Sequence, residues 1–333
     1  MTAPPPTTTP TPSKPAAAPP VGFRPVEVLR NYGILVITVV MVVYLGIVSP
    51  AFLSPANWAN LLETWAPAGI MAVALTFVLI AGGFDLSAGA VFALGGIVAA
   101  QVTIATGSTA LGVIAGLVAG TIVGLINGLL IAFGKINAFV ATLASGIVLA
   151  GINLALTKGL LVGVTQPDFT FLGQERLLGV KISVWILVIA FVIGGIVLHR
   201  TVFGLYVFAV GGNSSTAQLS GVPVAGVRVA TYAGMGFAAA LAGVLGASRI
   251  ASADAGAGGT SLLFTVFTVV IIGGTSLAGG AGAIWRSAVG LLVLAMIANG
   301  FVLLNITAVY QQILQGLILM GAVGLDAWVK RRR

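Results

Sequence analysis

Uninterrupted apolar runs of about twenty residues recur from residue 32 almost to the end of the chain, and no other feature constrains its fold as tightly. A run of that length crosses the roughly 30 Å hydrocarbon core of a bilayer as one helix, which satisfies its own backbone hydrogen bonds there. The expected segments are about Tyr32–Val48, Ala66–Ala81, Ala88–Thr106, Ala110–Phe133, Ala138–Thr157, Ile182–His199, Val229–Ala247, Leu262–Leu277, Ile284–Leu304 and Ala308–Ala327. The second and eighth also suit broken or re-entrant segments. Only 7% of the residues are charged, against roughly 25% in soluble domains, which excludes a soluble core of this size. A membrane barrel would alternate at short period instead. The fold class expected is all-α: a polytopic membrane helix bundle of about ten transmembrane helices. The 46 glycines let its helices approach closely, as bundles in lipid require.

Ten crossings put both termini on one side, and the cations choose the side. With the termini inside, Lys14, Arg24, Arg30, Lys135, Arg200, Arg228, Arg286 and Lys330–Arg333 give 11 inner cations, against 4 outer ones at Lys158, Arg176, Lys181 and Arg249. Both termini are therefore expected to be cytoplasmic. Residues 1–29, rich in Pro, Thr and Ala, read as a disordered cytoplasmic tail, because no apolar core follows a basic start. Residues 30–333 form the expected transmembrane domain. The net charge of +8 sits in short loops and at the end of the chain, with no stripe for nucleic acid. There is no cysteine and one histidine, so no thiolate or histidine-based metal site is expected, and no resident cofactor.

One long interruption organises the rest. From Arg200 to Arg228 the chain reads R-T-V-F-G-L-Y-V-F-A-V-G-G-N-S-S-T-A-Q-L-S-G-V-P-V-A-G-V-R. Gly211 and Gly212 break the chain, and Asn213 or Ser214 can cap a short helix through Ala217, Gln218 and Leu219. That helix stops at Gly221, before Pro223. Helices below roughly 12–15 residues are marginal alone in water, so this one must pack against something. Two readings stand: a surface turn packed on the protein's own helix ends, or a docking element for a cytoplasmic partner. The second is the one expected.

Polar groups within the spans are few. Asp85 stands where a carboxylate caps the third span and meets its positive end, or where a gate would lie. Gln311 and Gln315 share a face of the tenth span, beside Gln312 and Tyr310, and should face protein or a polar path. Asn127 and Asn299 are read the same way. Helix–helix hydrogen bonding and substrate contact remain open for all four. Glu63 suits the outer headgroup zone, and His199 a snorkelling anchor at the inner interface. Asn127-Gly128 and Asn299-Gly300 fall five spans apart, an offset that would make them inverted relatives. A second echo, Gly82-Gly83-x-x-Leu86-x-x-Gly89-Ala90 against Gly273-Gly274-x-x-Leu277-x-x-Gly280-Ala281, does not fit that symmetry and is read as chance. No phosphate loop is present, since Gly134-Lys135 lacks both the following hydroxyl and the glycine five positions earlier. Few buried ionisable groups disfavour an ion-driven carrier, and no repeated polar ring marks a channel. Energy is thus expected from another subunit.

These residues resemble the permease subunits of ribose/xylose-type ABC sugar importers. The likeness covers about Asn57 to Ala327. It rests on F-G-L-Y-V-F-A-V-G-G-N-S-S-T-A-Q-L-S-G-V-P-V-A-G-V-R continuing to A-G-V-L-G-A-S-R, on G-G-F-D-L-S-A-G-A from Gly82, G-L-I-N-G from Gly124, G-G-T-S-L-A-G-G from Gly273, and Tyr310-Gln311-Gln312. It implies an inner-membrane importer subunit for a monosaccharide or related polyol, with a second permease copy completing the pore. Cytoplasmic ATP-binding subunits would hold the ATP, and an extracytoplasmic sugar-binding protein would deliver the cargo. It also implies that Gly211, Gly212, Asn213, Ser215, Gln218, Leu219, Gly221 and Pro223 form the ATPase-coupling loop. Asp85, Asn127, Asn299, Gln311 and Gln315 are the candidates for the translocation path. The chain departs from the family's pattern at Leu263 and Thr265, where an acidic pair is usual, at Ile136–Phe139, where proline is favoured, and at Arg286, where glycine is common. These departures bear on the substrate and on whether the permease pairs with itself or with a different one. The alternatives are a permease for branched-chain amino acids or nucleosides, and an ion-coupled secondary transporter.

Overall fold

The structure, a computed structural model, describes residues 25–331. The chain divides into two units, Met1–Gly33 and Ile34–Arg333, and the helix bundle belongs to the second. The tail expected over residues 1–29 lies almost wholly outside the described residues.

The helices are α1 (Pro25–Val48), α2 (Pro55–Ile80), α3 (Ala88–Thr106), α4 (Thr109–Ala132), α5 (Ala138–Thr157), α6 (Phe171–Gln174) and α7 (Ile182–Arg200). They continue as α8 (Val202–Gly212), α9 (Ser214–Leu219), α10 (Val224–Ile250), α11 (Thr260–Ile272), α12 (Ile284–Leu303) and α13 (Ala308–Arg331). Seven of them (α2, α3, α4, α5, α7, α10 and α12) are long and apolar enough to cross a membrane. Side-chain caps fix several of the starts. Ser54 accepts from the Asn57 N–H and Pro55 follows it, Ser108 accepts from Leu111, and Asn137 accepts from Phe139 and Val140.

Helix α10 lies at the centre, packed on α2, α3 and α4. The close approach follows from a glycine at every fourth position of α4: Gly112, Gly116, Gly120, Gly124 and Gly128 are all buried. A Cβ at Gly120 would stand 2.7 Å from the Gly236 carbonyl oxygen, and one at Gly128 would stand 2.8 Å from Val229 Cα. Only backbone against backbone fits there, the small-residue contact that replaces hydrophobic drive between helices in lipid. The opposite face of α4 exposes Leu111, Ile114, Val118, Ile122 and Leu129.

Helix α1 begins at Pro25, within the tail expected over residues 1–29, and α10 begins five residues before the expected Val229; three further elements differ from the sequence reading. Helix α2 begins eleven residues before the expected second span and runs through Pro67, because Ser54-Pro55 nucleates it early. Helix α11 has only 13 residues. At 1.5 Å per residue that is about 20 Å, short of the hydrocarbon thickness. It ends just before Gly274 turns to φ +83°, so the expected span to Leu277 is cut by five residues. Finally, α8 fills a stretch read as loop. Thr201 caps it by accepting from Gly204 N–H, and Val207 and Val210 bury against Phe77, Ile80 and Leu198.

The loops assigned inward gather at one end of the bundle. Gly82, Lys135 and Arg228 line a common recess of about 440 Å³. At the other end, β1 (Val162–Gly163), β2 (Arg176–Leu177) and β3 (Val180–Lys181) all lie between α5 and α7, and β4 (Ser252–Ala253) follows α10. Strand β1 pairs antiparallel with β4, and β2 with β3.

Candidate functional site

Asn213 builds the short helix α9: its side chain accepts from the Thr216 N–H at 3.0 Å. The other end closes at Gly221, whose φ of +83° favours glycine, while the N–H groups of Gly221 and Val222 return to the carbonyls of Gln218 and Ala217. Pro223 then precedes the first turn of α10. Within α9 only Ala217 is buried; Ser215, Gln218 and Leu219 face out, and Leu219 is 90% exposed. An apolar side chain held out on a doubly capped turn suits a contact with another protein.

The corner before this helix makes close backbone contacts in addition to the side-chain packing of Val207 and Val210. Gly211 packs so closely on the end of α2 that a Cβ would overlap the Ile80 carbonyl oxygen and come within 2.7 Å of Gly280 N. That same oxygen accepts the Gly280 N–H at 2.8 Å. Cβ atoms at Gly279 and Gly280 would stand 2.9 Å from Gly82 Cα and Gly212 Cα respectively. Three chain segments therefore interlock: the turn after α2, the α8–α9 corner, and the loop from α11 to α12. Beside them, Lys135 and Arg228 line both the 440 Å³ recess and a second of about 520 Å³ that also reaches Gln218. The end of the bundle around α9 is thus cationic.

Asp85 is buried in the loop between α2 and α3. Its Oδ1 accepts from the Ser87 N–H at 2.9 Å and from the Ser87 hydroxyl at 2.6 Å, just ahead of α3. Burial pushes its carboxyl above the ordinary range, against the opposing hydrogen bonds from Ser87 and the Ala88 backbone. Asn127 on α4 donates to the Ser87 Oγ at 2.9 Å, so Asp85 and Asn127 belong to one buried cluster. Tyr232 pins the same loop, donating to the Phe84 carbonyl at 2.9 Å and accepting its N–H at 3.2 Å.

Asn299 lies apart from these. It exchanges two amide hydrogen bonds with Asn57, of 2.8 and 3.0 Å, and so joins α12 to the first turn of α2. Gln311 and Gln315 come together with Gln312, Trp65, Ser261 and Thr265 around a recess of about 240 Å³ between α2, α11 and α13. The Gln315 amide donates to Thr265 Oγ1 at 2.6 Å.

Sequence reasoning missed the roles of Glu63, Tyr232, Trp65 and Thr265. Glu63, buried on α2, binds Lys181 Nζ at 2.8 Å and Arg249 Nε at 3.2 Å, tying three elements at the end of the bundle opposite α9. Its signal was present: one acidic residue within an apolar helix must find cations, and two outer ones were available.

The chain matches the family model described as branched-chain amino acid transport system / permease component over residues 57–323. It is 38% identical over 301 residues to the ribose import permease protein RbsC of Bacillus subtilis, covering 90% of this chain and 93% of that one. To RbsC of Escherichia coli K12 it is 36% identical over 296 residues, covering 88% and 92%. To the L-arabinose ABC transporter permease protein AraH of Azospirillum brasilense it is 34% identical over 307 residues, covering 92% and 90%. No solved structure matches. A family match across most of the bundle, with relatives aligned over about nine-tenths of both chains, makes this a multi-pass permease subunit of the bacterial inner membrane, and the chain belongs to the branched-chain amino acid transport system / permease component family.

Proposed function

We propose that the chain is the membrane permease of an ATP-binding-cassette importer for a monosaccharide or related polyol. The observation that carries the cargo class is the end-to-end likeness to permeases of two pentoses, ribose and arabinose. In this reading the chain crosses the membrane ten times through α1, α2, α3, α4, α5, α7, α10, the α11 segment together with its flanking loops, α12 and α13. Both termini are cytoplasmic, with the Pro/Thr-rich residues before α1 as the cytoplasmic tail. Helices α8 and α9 stay on the cytoplasmic side, and Ser215, Gln218 and Leu219 meet an ATP-binding subunit that carries the nucleotide. An extracytoplasmic binding protein supplies the sugar, and a second permease copy, identical or different, completes the pore. Of the polar candidates, Gln311 and Gln315 line the path. Asp85 caps α3, and Asn127 and Asn299 join helices.

The work of the chain is alternating access, a change between two states biased by nucleotide on the partner. Uptake of labelled D-ribose and L-arabinose into vesicles holding the permease, its ATP-binding partner and the binding protein tests this. Sugar import that persists without the ATP-binding partner and collapses with an ionophore would identify a secondary transporter instead. The family's description favours a second reading, a branched-chain amino acid cargo. L-leucine import by the same vesicles, with neither sugar moved, would establish it.

A further inference from the structure

We propose that the recess between α2, α11 and α13 is a binding subsite for an uncharged polyhydroxylated ligand, with Trp65 as its apolar platform and the carboxamides of Gln311, Gln312 and Gln315 as its hydrogen-bonding edge. The inference rests on the sugar-importer reading and names the residues that would recognise the cargo.

The lining argues for the ligand class. An open recess of about 240 Å³ is bordered by an indole, three carboxamides, the hydroxyls of Ser261 and Thr265, and two aliphatic side chains. That volume lies just under the roughly 300–1,000 Å³ of drug-sized sites, which suits a small ligand. None of the lining groups is ionisable. A carboxylate, ammonium or phosphate placed there would be partly desolvated and would find no counter-charge among the lining groups. A sugar carries no such penalty. Its ring presents one apolar C–H face, which matches the flat, half-buried indole of Trp65. Its hydroxyls donate and accept at the rim, which is what primary amides and alcohols pair with.

The recess is also organised in advance. The Gln315 amide donates to Thr265 Oγ1, and the Thr265 hydroxyl donates onward to the Ser261 carbonyl at 2.8 Å. These bonds fix the Gln315 side chain, and among the described residues nothing donates to its carbonyl oxygen, which can accept from a ligand. Gln311 lies one turn away on the same helical face. Among the described residues, Gln311 and Gln312 make no side-chain hydrogen bond, although both border the recess. Unpaired amides on a membrane helix are costly against lipid, so they need a partner that comes and goes or one on another chain. Two of the three walls lead to the coupling end. Helix α2 ends at Ile80, against Gly211, and α11 ends at Ile272 and runs into the loop that carries Gly279 and Gly280. A ligand here would thus sit on the elements that the coupling corner holds.

The chain has no cysteine, so Ser261→Cys places a single thiol in the recess of the assembled importer in nanodiscs. D-ribose and L-arabinose serve as probes, with L-leucine and ribose 5-phosphate as charged controls. The transported sugar is expected to slow maleimide labelling at least about fivefold, and the controls are expected not to. In saturation-transfer NMR, Trp65→Leu and Gln311→Leu/Gln315→Leu should each weaken sugar binding about tenfold, the effect of roughly 1.4 kcal/mol. Trp65→Phe should recover most of it. Sugar import without protection of the thiol, or binding unchanged in both variants, overturns the subsite and leaves the importer reading standing. Efficient cross-linking of Gln312→Cys between two permease copies, indifferent to sugar, also overturns it, since the amides then pair across an interface. Import of L-leucine with neither sugar overturns both readings together.

Discussion

The contact at Gly211 gives the sharpest test of how α9 is coupled to the bundle. Gly211→Ala adds one methyl group where the Ile80 carbonyl oxygen already lies and where Gly280 N would be 2.7 Å away. Carbon contacts are comfortable at about 3.5–4.0 Å, so at least one segment must retreat by well over half an ångström. Either retreat strains or breaks the 2.8 Å hydrogen bond from Gly280 N–H to the Ile80 oxygen. Losing a buried hydrogen bond costs about 1–3 kcal/mol, and overpacking about as much again. Only the share that differs between inward- and outward-facing states alters coupling, but about 1.4 kcal/mol of difference suffices for a tenfold change. Gly212→Ala is the control, because a Cβ there meets nothing within 4 Å. The assay is sugar moved per ATP hydrolysed in reconstituted vesicles, with co-purification of the ATP-binding subunit as the measure of assembly. We expect Gly211→Ala to assemble but to lose at least about tenfold in that ratio, and Gly212→Ala to match the wild type. Equal ratios in the two variants would refute the idea that the glycine junction transmits the motion.

Other expectations follow from single contacts. Leu219→Asp should abolish ATP-driven uptake and co-purification of the partner while leaving the melting temperature of the permease unchanged, since the side chain is 90% exposed; normal uptake would make α9 a mere connector. Asp85→Asn keeps an acceptor for Ser87 and should transport normally, whereas Asp85→Ala should lower stability by about 1–3 kcal/mol in thermal unfolding. Because burial raises the Asp85 pKa, the contribution of its protonation is full below the ordinary carboxylate range and is lost as pH rises through the raised value; Asp85→Asn should flatten that part of the stability profile. Glu63→Gln removes the partner of Lys181 and Arg249, whose side chains remain 20% and 40% exposed, so about 1–3 kcal/mol is expected in place of the 3–5 of a fully buried pair. An impermeant maleimide should label Leu178→Cys, at an 85% exposed position, in intact cells, and Ser215→Cys only after permeabilisation; the reverse pattern would sink the ten-crossing arrangement.

What could be read from the sequence was what depends on local chemistry. Helix α9 was legible because each of its boundaries is a short-range signal: a breaker at Gly211-Gly212, a capping Asn213, a left-handed Gly221 and a following Pro223. Helix α8 was not, because its eleven apolar residues carry no periodicity that separates a buried helix from a loop between basic shoulders. What fixes it is the distant pocket formed by Phe77, Ile80 and Leu198. The glycine stripe on α4 is plain once read at period four, but which helix it admits cannot be seen without α10 in place. The two glycine-rich echoes show the limit from the other side. The left-handed turn falls on Gly82 in the first and on Gly274 in the second, one residue out of register with the letters that match. Asn127 and Asn299 likewise have unlike partners, Ser87 in one case and Asn57 in the other.

The placement of α2 and α11 connects the two ends of the molecule. Both helices lead at one end into the glycine junction and carry, towards the other end, side chains of the recess: Trp65 and Ala68 on α2, Ser261, Leu262 and Thr265 on α11. They differ in how firmly they are held. Helix α2 has 26 residues, is buried along most of its length, and is anchored near its start by Glu63 to Lys181 and Arg249. Helix α11 has 13 residues, is too short to cross alone, and is flanked by glycines at both ends, Gly258-Gly259 and Gly273-Gly274. A push delivered at Gly211 reaches both through backbone, directly at Ile80 and through the Gly279-Gly280 loop, so neither can absorb it by a change of rotamer. The long anchored helix resists, and the short one between glycine hinges is the element free to tilt. Thr265 would then move relative to Trp65, changing the width of the recess while the outer ion pairs hold their places. On this argument, Gly258→Ala should impair transport even though Gly258 is not part of the glycine junction at Gly211. A Cβ there would overlap the Gly89 carbonyl oxygen and stand 3.0 Å from Phe92 Cδ1, so the Gly258-Gly259 hinge must shift away from α3. The partner should still bind and hydrolyse ATP, and distances between spin labels at Thr265 and Trp65 should cease to respond to nucleotide. A normal nucleotide response in that variant would mean that α11 moves as a rigid part of the bundle and that the recess opens by some other element.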